Sequence, residues 1–192
     1  MKNKEAVLPV TGEELYRRFI DGDGGAFDEL VSLYENELSS FIFSIVRDYH
    51  EAKHLTIETF AQLAVSSGKF AGKSSLKTYL FAIGKNLTMR HMKKRGREQH
   101  IPLEDAIETL VCEGETPHDF IEREEKVRLV HEAMRDLKDE YRVVLLLLYF
   151  EDMSYIDAAR VMNKSVKQIS DLAYRAKATL KKKLENENRF DY

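Results

Sequence analysis

The most constraining stretch is MSYIDAARVMNKSVKQISDLAYRAKATL, from Met153 to Leu180. Ser154 followed three residues on by Asp157, and Ser165 followed by Gln168, are two helix-start signatures only eleven residues apart. Between them Asn163-Lys164 makes a corner, and asparagine tolerates the left-handed backbone that such corners require. Ala158 and Ala159 are small enough for a second helix to cross the first closely. The pattern predicts a short helix, a tight turn and a second capped helix. In the second helix Ile169, Leu172, Ala173, Ala176 and Leu180 should face inward. Lys167, Gln168, Ser170, Asp171, Tyr174, Arg175 and Ala178 should face out. If the unit docks on duplex DNA, Lys164, Lys167, Arg175 and Lys177 can meet phosphates, and Gln168 can reach an adenine edge. An ordinary helical hairpin inside a bundle would satisfy the same outline.

The rest of the chain reads as helix too. Thr11 with Glu14 opens a first helix and Gly22 closes it. Phe27, Leu30, Val31, Tyr34, Leu38, Phe41, Ile42 and Ile45 share one stripe of a second. Glu51 to Ser67 gives a third, with Leu55, Thr59, Leu63 and Ser66 along one line. After the loop Lys69 to Ser74 comes a fourth, with Leu76, Tyr79, Leu80, Ile83 and Leu87 inward. Periodicity fails from Gln99 to Glu115, a linker holding Pro102 and Gly114. Thr116 then caps a helix with Pro117 at its first position, running to about Leu137. Glu140 to Phe150 is apolar almost all round and should lie at the centre of its domain. No strand-like alternation occurs. The expected fold is all-α: a four-helix domain over 11–98, an acidic linker over 99–115, and a four-helix helix-turn-helix domain over 116–187.

Charge follows the same division. Residues 85–97 hold six Lys/Arg and no acid, 101–125 hold nine acids against one arginine, and 160–183 hold eight Lys/Arg against Asp171 alone. Two basic segments around an acidic connector suit a protein that touches a polyanion at two places. The net charge of −3 conceals this. The longest apolar run, Val143 to Phe150, is too short to span a bilayer. The start of the chain lacks a signal-peptide core, and Cys112 as the only cysteine excludes an internal disulfide. A cytoplasmic location is expected. The six histidines lack ligand spacing and no Gly-rich phosphate loop follows a strand, so no enzyme, catalytic residue, metal or cofactor is expected.

Taken together, these blocks resemble a bacterial sigma factor of the extracytoplasmic-function group, over roughly Glu14 to Leu184. The resemblance rests on Gly22-Asp23, Ala26-Phe27 and Leu30; on Glu51-Ala52, Leu55 and Glu58-Thr59-Phe60; and on Phe70 to Leu80, Ile83 and Asn86. In the second half it rests on Leu137 to Arg142, Val144 to Leu147, Tyr149 to Tyr155, Ala158-Ala159 and Tyr174-Arg175-Ala176. It implies that the first domain is the family's region two and the second its region four. It implies core RNA polymerase, duplex promoter DNA and its opened non-template strand as partners, with an anti-sigma factor where one exists, and no membrane insertion. Under it, Phe70 and Tyr79 provide apolar or stacking surface for an unstacked base at the minus-10 element. Ser74 and Ser75 belong to the loop that holds that base. Asn86 contacts the same region, and Lys73, Lys77, Arg90, Lys93, Lys94 and Arg95 meet phosphates. The minus-35 reader comprises Lys164, Ser165, Lys167, Gln168, Ser170, Asp171, Tyr174, Arg175 and Lys177. Glu51, His54, Leu55, Glu58, Phe60 and Gln62 form the polymerase face.

Two departures stand out. Lys53-His54 replace an acidic pair and Ile57 replaces a glutamine in the polymerase-facing segment, which should weaken pairing with polymerase arginines. Ser170-Asp171-Leu172 replace lysine, serine and arginine in the last helix, so Asp171 must repel phosphate or accept from a cytosine amine. A second reading follows from them: a sigma-like DNA- or polymerase-binding regulator that has partly lost promoter-specific initiation.

Overall fold

The computed structural model describes residues 10–98, 133–134 and 136–187. Every regular element among them is helical: α1 (Gly12–Ile20), α2 (Gly24–Val46), α3 (Tyr49–Val65), α4 (Leu76–Glu98), α5 (Asp139–Tyr149), α6 (Tyr155–Met162) and α7 (Val166–Glu187). The expected linker and the helix start at Thr116-Pro117 lie outside the described residues; Ala133 and Met134 are helical. The chain divides into two compact units. The first holds α1, α2 and nearly all of α3 and α4, and the second holds α5 to α7.

Local chemistry starts and stops the helices of the first unit. The Thr11 hydroxyl accepts from Glu14 N at 3.3 Å, capping α1. Gly22, at φ +102°, turns the chain where a side chain would be strained. Asp23 then accepts from Ala26 N at 3.3 Å at the start of α2, and Arg18 pairs with Asp23 at 2.7 Å. The core is built from Leu30, Leu38, Phe41, Ile42, Ile45, Leu63, Leu76, Leu80 and Phe81, all essentially fully buried. Burial of each such side chain stabilises by roughly 1.5–3 kcal/mol. Gly84 marks a close crossing: a Cβ there would stand 3.0 Å from a Leu38 methyl and 3.4 Å from the Thr59 hydroxyl. Thr56, Thr59 and Thr88 are buried, and each hydroxyl donates to the carbonyl four residues earlier at 2.7–2.8 Å. The expected stripes are therefore largely present. Phe81 was not among the expected inward residues of α4, yet it is fully buried against Phe41 at 5.1 Å between ring centroids, whereas Tyr79 is half-buried.

In the second unit α5 buries seven consecutive residues, Arg142 to Leu148. Arg142 is the unexpected member. Its Nε donates to the Met134 carbonyl at 3.1 Å and its Nη2 to the Leu137 carbonyl at 3.0 Å, tying the preceding turn to α5. Burial pulls the guanidinium below its ordinary pKa, against the opposing pull of Asp139 and Asp136. The α6 cap forms as expected, Asp157 N donating to the Ser154 hydroxyl at 3.1 Å. Asn163 is left-handed at φ 52° and ψ 50°, and Lys164 N donates back to the Ala159 carbonyl at 2.9 Å. Ala158, Ile169, Ala173 and Ala176 are buried where α6 and α7 meet α5. Leu172 and Leu180 are half-buried.

Candidate nucleic-acid interface

In the first unit the loop before α4 is clamped from α1. Glu13 Oε1 accepts from Leu76 N at 2.7 Å, so a carboxylate from α1 satisfies a free N–H at the start of α4. Tyr16 packs edge-on against Phe70 at 5.6 Å, and Phe70 against Tyr79 at 5.3 Å. Rings continue through Phe19 and Phe27 to Phe60. Both Phe70 and Tyr79 are half-buried, so each is at once part of this aromatic row and open on one side. Burial raises the Tyr79 phenol above its ordinary pKa. Gly72 is left-handed at φ +66°, which leaves Lys73 exposed at the loop's outer edge. Glu13 and Tyr16 carried no sequence signal for this role, because their partners lie about sixty residues away in the chain.

Beyond the loop, Tyr79, Asn86, Arg90 and Lys94 fall close to one line of α4 by helical spacing. Asn86, Arg90, Lys93 and Lys94 are exposed, and Arg95 is half-buried. Asn86 Oδ1 accepts from Lys85 Nζ at 3.3 Å. Among the described residues no acid pairs with Arg90, Lys93 or Lys94. Other expected members are engaged elsewhere. The Ser75 hydroxyl caps α4, accepting from Thr78 N at 3.1 Å and bonding the Thr78 hydroxyl at 2.7 Å. Ser74 donates to the Ser75 carbonyl at 3.1 Å. Lys77 pairs with Glu37 at 2.9 Å and lies over the Phe81 ring at 5.5 Å, so it is turned toward α2.

On α3 the expected polymerase-facing residues divide by burial. His54, Glu58 and Gln62 are exposed, and Glu51 lies 3.4 Å from His91 across the α3–α4 interface. Leu55 and Phe60 are buried and hold the helix on its unit instead of facing outward. Lys53, Ile57, Ala61 and Val65 complete the exposed side.

In the second unit α7 presents Ser165, Lys167, Gln168, Ser170, Asp171, Tyr174, Arg175, Lys177 and Ala178 outward, in agreement with the periodicity. The Ser165–Gln168 capping box is reciprocal: Ser165 N donates to Gln168 Oε1 at 2.8 Å, and Gln168 N to the Ser165 hydroxyl at 3.2 Å. The cap occupies one of the two lone pairs of the oxygen that a two-point adenine contact would use. Lys164 pairs with Glu140 at 2.9 Å. Lys177 lies 4.4 Å above the Tyr149 ring. Gln168, Asp171 and Arg175 line a shallow groove with Glu140, Lys164 and Leu172. Among the described residues no cluster of His, Cys, Asp or Glu could hold a metal ion, and no helix is long and apolar enough to cross a membrane.

Known proteins match both units. The family described as sigma-70 region 2 matches residues 30–98, and that described as sigma-70, region 4 matches residues 128–180. The RNA polymerase sigma-H factor of Pseudomonas aeruginosa is 31% identical over 180 residues, covering 90% of this chain and 93% of that protein. The ECF RNA polymerase sigma factor SigW of Bacillus subtilis is 25% identical over 170 residues, covering 85% and 91%. Among solved structures, the sigma factor RpoE of Bartonella quintana, in complex with the anti-sigma factor NepR, aligns with a TM-score of 0.68 at 23% identity. That alignment covers 83% of this chain and 96% of the other.

Proposed function

The chain belongs to the extracytoplasmic-function group of sigma-70 factors, and from that premise we propose the following division of work. The protein joins core RNA polymerase in the cytoplasm and directs it to promoters. It acts by binding and strand separation, with no chemistry of its own. The first unit, over 11–98, receives the minus-10 element; the second, over 116–187, reads the minus-35 element; residues 99–115 connect them. An anti-sigma factor is a further partner where the cell encodes one.

The observation that carries this reading is the exposed line on α4 that leads away from the Phe70–Tyr79 edge: Asn86, Arg90, Lys93 and Lys94, with no acid paired to the three cations among the described residues. A strand following that line meets half-buried rings at one end and cations at the other. Stacking on an aromatic edge offsets the cost of unstacking a base, and the cations hold the backbone. Lys73 and Arg95 extend the same positive surface. On the polymerase side His54, Glu58 and Gln62 are the outward residues of α3, with Glu51 beside His91. Lys53 and Ile57 there favour a docking less dependent on carboxylate–arginine pairing.

The deciding experiment is transcription in vitro with purified core polymerase on a genomic promoter library. Promoter-dependent transcripts are expected. Polymerase that co-purifies with the protein yet initiates nowhere would instead support the regulator that has lost initiation. Within the same assay, Asn86→Ala is expected to reduce promoter opening about tenfold while leaving polymerase binding unchanged, since one base contact is worth on the order of 1–3 kcal/mol. Equal loss of both would remove Asn86 from this role.

A further inference from the structure

The outward face of α7 has a fixed order of hydrogen-bonding character. Gln168 keeps both amide N–H donors outside the cap, because the bond from Ser165 N at 2.8 Å goes to its oxygen. That orientation is set by the bond itself, since a backbone N–H must face the amide oxygen. One turn on, Asp171 is exposed and has no ion-pair partner among the described residues, although Arg175 stands four positions away. A carboxylate is acceptor-only. In the major groove the available base donors are the amino groups of cytosine and adenine. Adenine sets its N7 acceptor beside that amino group, which opposes a second carboxylate oxygen. Cytosine has only a C–H there. Arg175 borders Asp171 in the same groove, where Lys164 is paired with Glu140, and the Arg175 charge offsets part of its repulsion from flanking phosphates.

We propose that Asp171 is a specificity-determining residue that accepts from a cytosine amino group in the major groove, with the amide N–H groups of Gln168 as neighbouring donors. The proposal rests on the reading of the second unit as a duplex reader and adds which base edges it selects.

The test uses the full-length protein bound to core polymerase, selecting from duplexes randomised over the upstream element with the downstream element held fixed. The wild type is expected to enrich cytosine at one upstream position. Asp171→Ala should flatten that preference by about tenfold. Asp171→Asn, which is isosteric and both donates and accepts, should move the preference from cytosine to adenine. Should Asp171→Ala fail to fold, the shift in Asp171→Asn carries the test alone. A cytosine preference that survives both substitutions, or a wild-type upstream motif that neither variant alters, overturns the proposal while leaving the second unit a duplex reader. If the wild type enriches nothing upstream but still opens the fixed downstream element, the duplex-reading role itself falls, and the proposal with it.

Discussion

The α4 face and the α7 face are both basic in sequence, yet their cations are held differently. On α4, Arg90, Lys93 and Lys94 are exposed and unpaired among the described residues. In the turn before α7, Lys164 is bound to Glu140; on α7, Lys177 rests on Tyr149 and Asp171 sits near Arg175. Counterion release rewards free cations that meet phosphates, so the α4 face should bind through charge and lose affinity steeply with salt. The α7 face has given up part of that charge and kept an ordered set of donors and acceptors. Its binding should be weaker on arbitrary DNA and depend more on which bases are present. Under the proposed function, two basic segments thus serve two kinds of recognition, and the pairing partners decide which.

The strongest way to separate the two faces is to unfold one of them. Arg142 supplies two hydrogen bonds to buried carbonyls, Met134 and Leu137, beneath the platform on which α7 sits. Arg142→Ala removes the Arg142 bond to the Leu137 carbonyl, leaves the Met134 carbonyl only its bond from Leu137 N at 3.2 Å, and opens a buried cavity, and should cost about 3 kcal/mol. Hydrogen exchange is the measurement. Protection in α5 to α7 is expected to fall about a hundredfold while α1 to α4 keep theirs. Equal loss in both units would mean that the faces cannot be compared as independent parts.

Next in size is the charge on α4. Replacing Arg90, Lys93 and Lys94 together by alanine should lower the salt slope for single-stranded DNA by about 2, at roughly 0.7 per phosphate contact. Duplex binding through the second unit should hardly change. A preserved slope would show that these cations do not meet the backbone.

A smaller effect is expected at Asp171. Asp171→Arg should steepen the salt slope on duplex DNA by about 1 and raise affinity for arbitrary sequence. It would make the α7 face resemble the α4 face. No change would mean that Asp171 does not face DNA.

How much of this was readable beforehand depended on the range of the interaction. The caps at Thr11, Ser154 and Ser165 and the left-handed Asn163 are set within a few residues, and the sequence shows them directly. Helical periodicity likewise gave the inward and outward sides of α7. It could not show Glu13 closing the start of α4, Arg142 bonding the preceding turn, or Phe81 buried where Tyr79 is only half so. Those depend on what another element brings to the same place. The partners that several expected site residues have within the chain were hidden for the same reason. Lys77 and Lys177 read as phosphate ligands, but Glu37 and the Tyr149 ring already engage them. Ser75 and Gln168 read as contact residues, but the helix starts they stand at engage the Ser75 hydroxyl and the Gln168 oxygen. Leu55 and Phe60 lie within a segment that matches the polymerase face, and their apolar bulk goes to the core.

The finest test of the comparison is at Glu140. Its pair with Lys164 is 2.9 Å long, but Glu140 is largely exposed. An exposed pair of this kind contributes no more than about 1 kcal/mol. Lys164 can therefore leave Glu140 for a phosphate at small cost, and Glu140→Gln should raise affinity for arbitrary duplex DNA by less than about fivefold. Stability should be nearly unchanged, because no buried group is exposed. The two faces then differ by degree at this position and by kind at Asp171. A rise comparable to that of Asp171→Arg would reverse that order: the restraint on Lys164, and not the acid on α7, would be what sets the second unit apart. Filter binding of Glu140→Gln and Asp171→Arg on duplexes of differing sequence distinguishes the two: each adds at most one phosphate contact, about 0.9 in slope, but only Asp171→Arg should alter which bases are preferred.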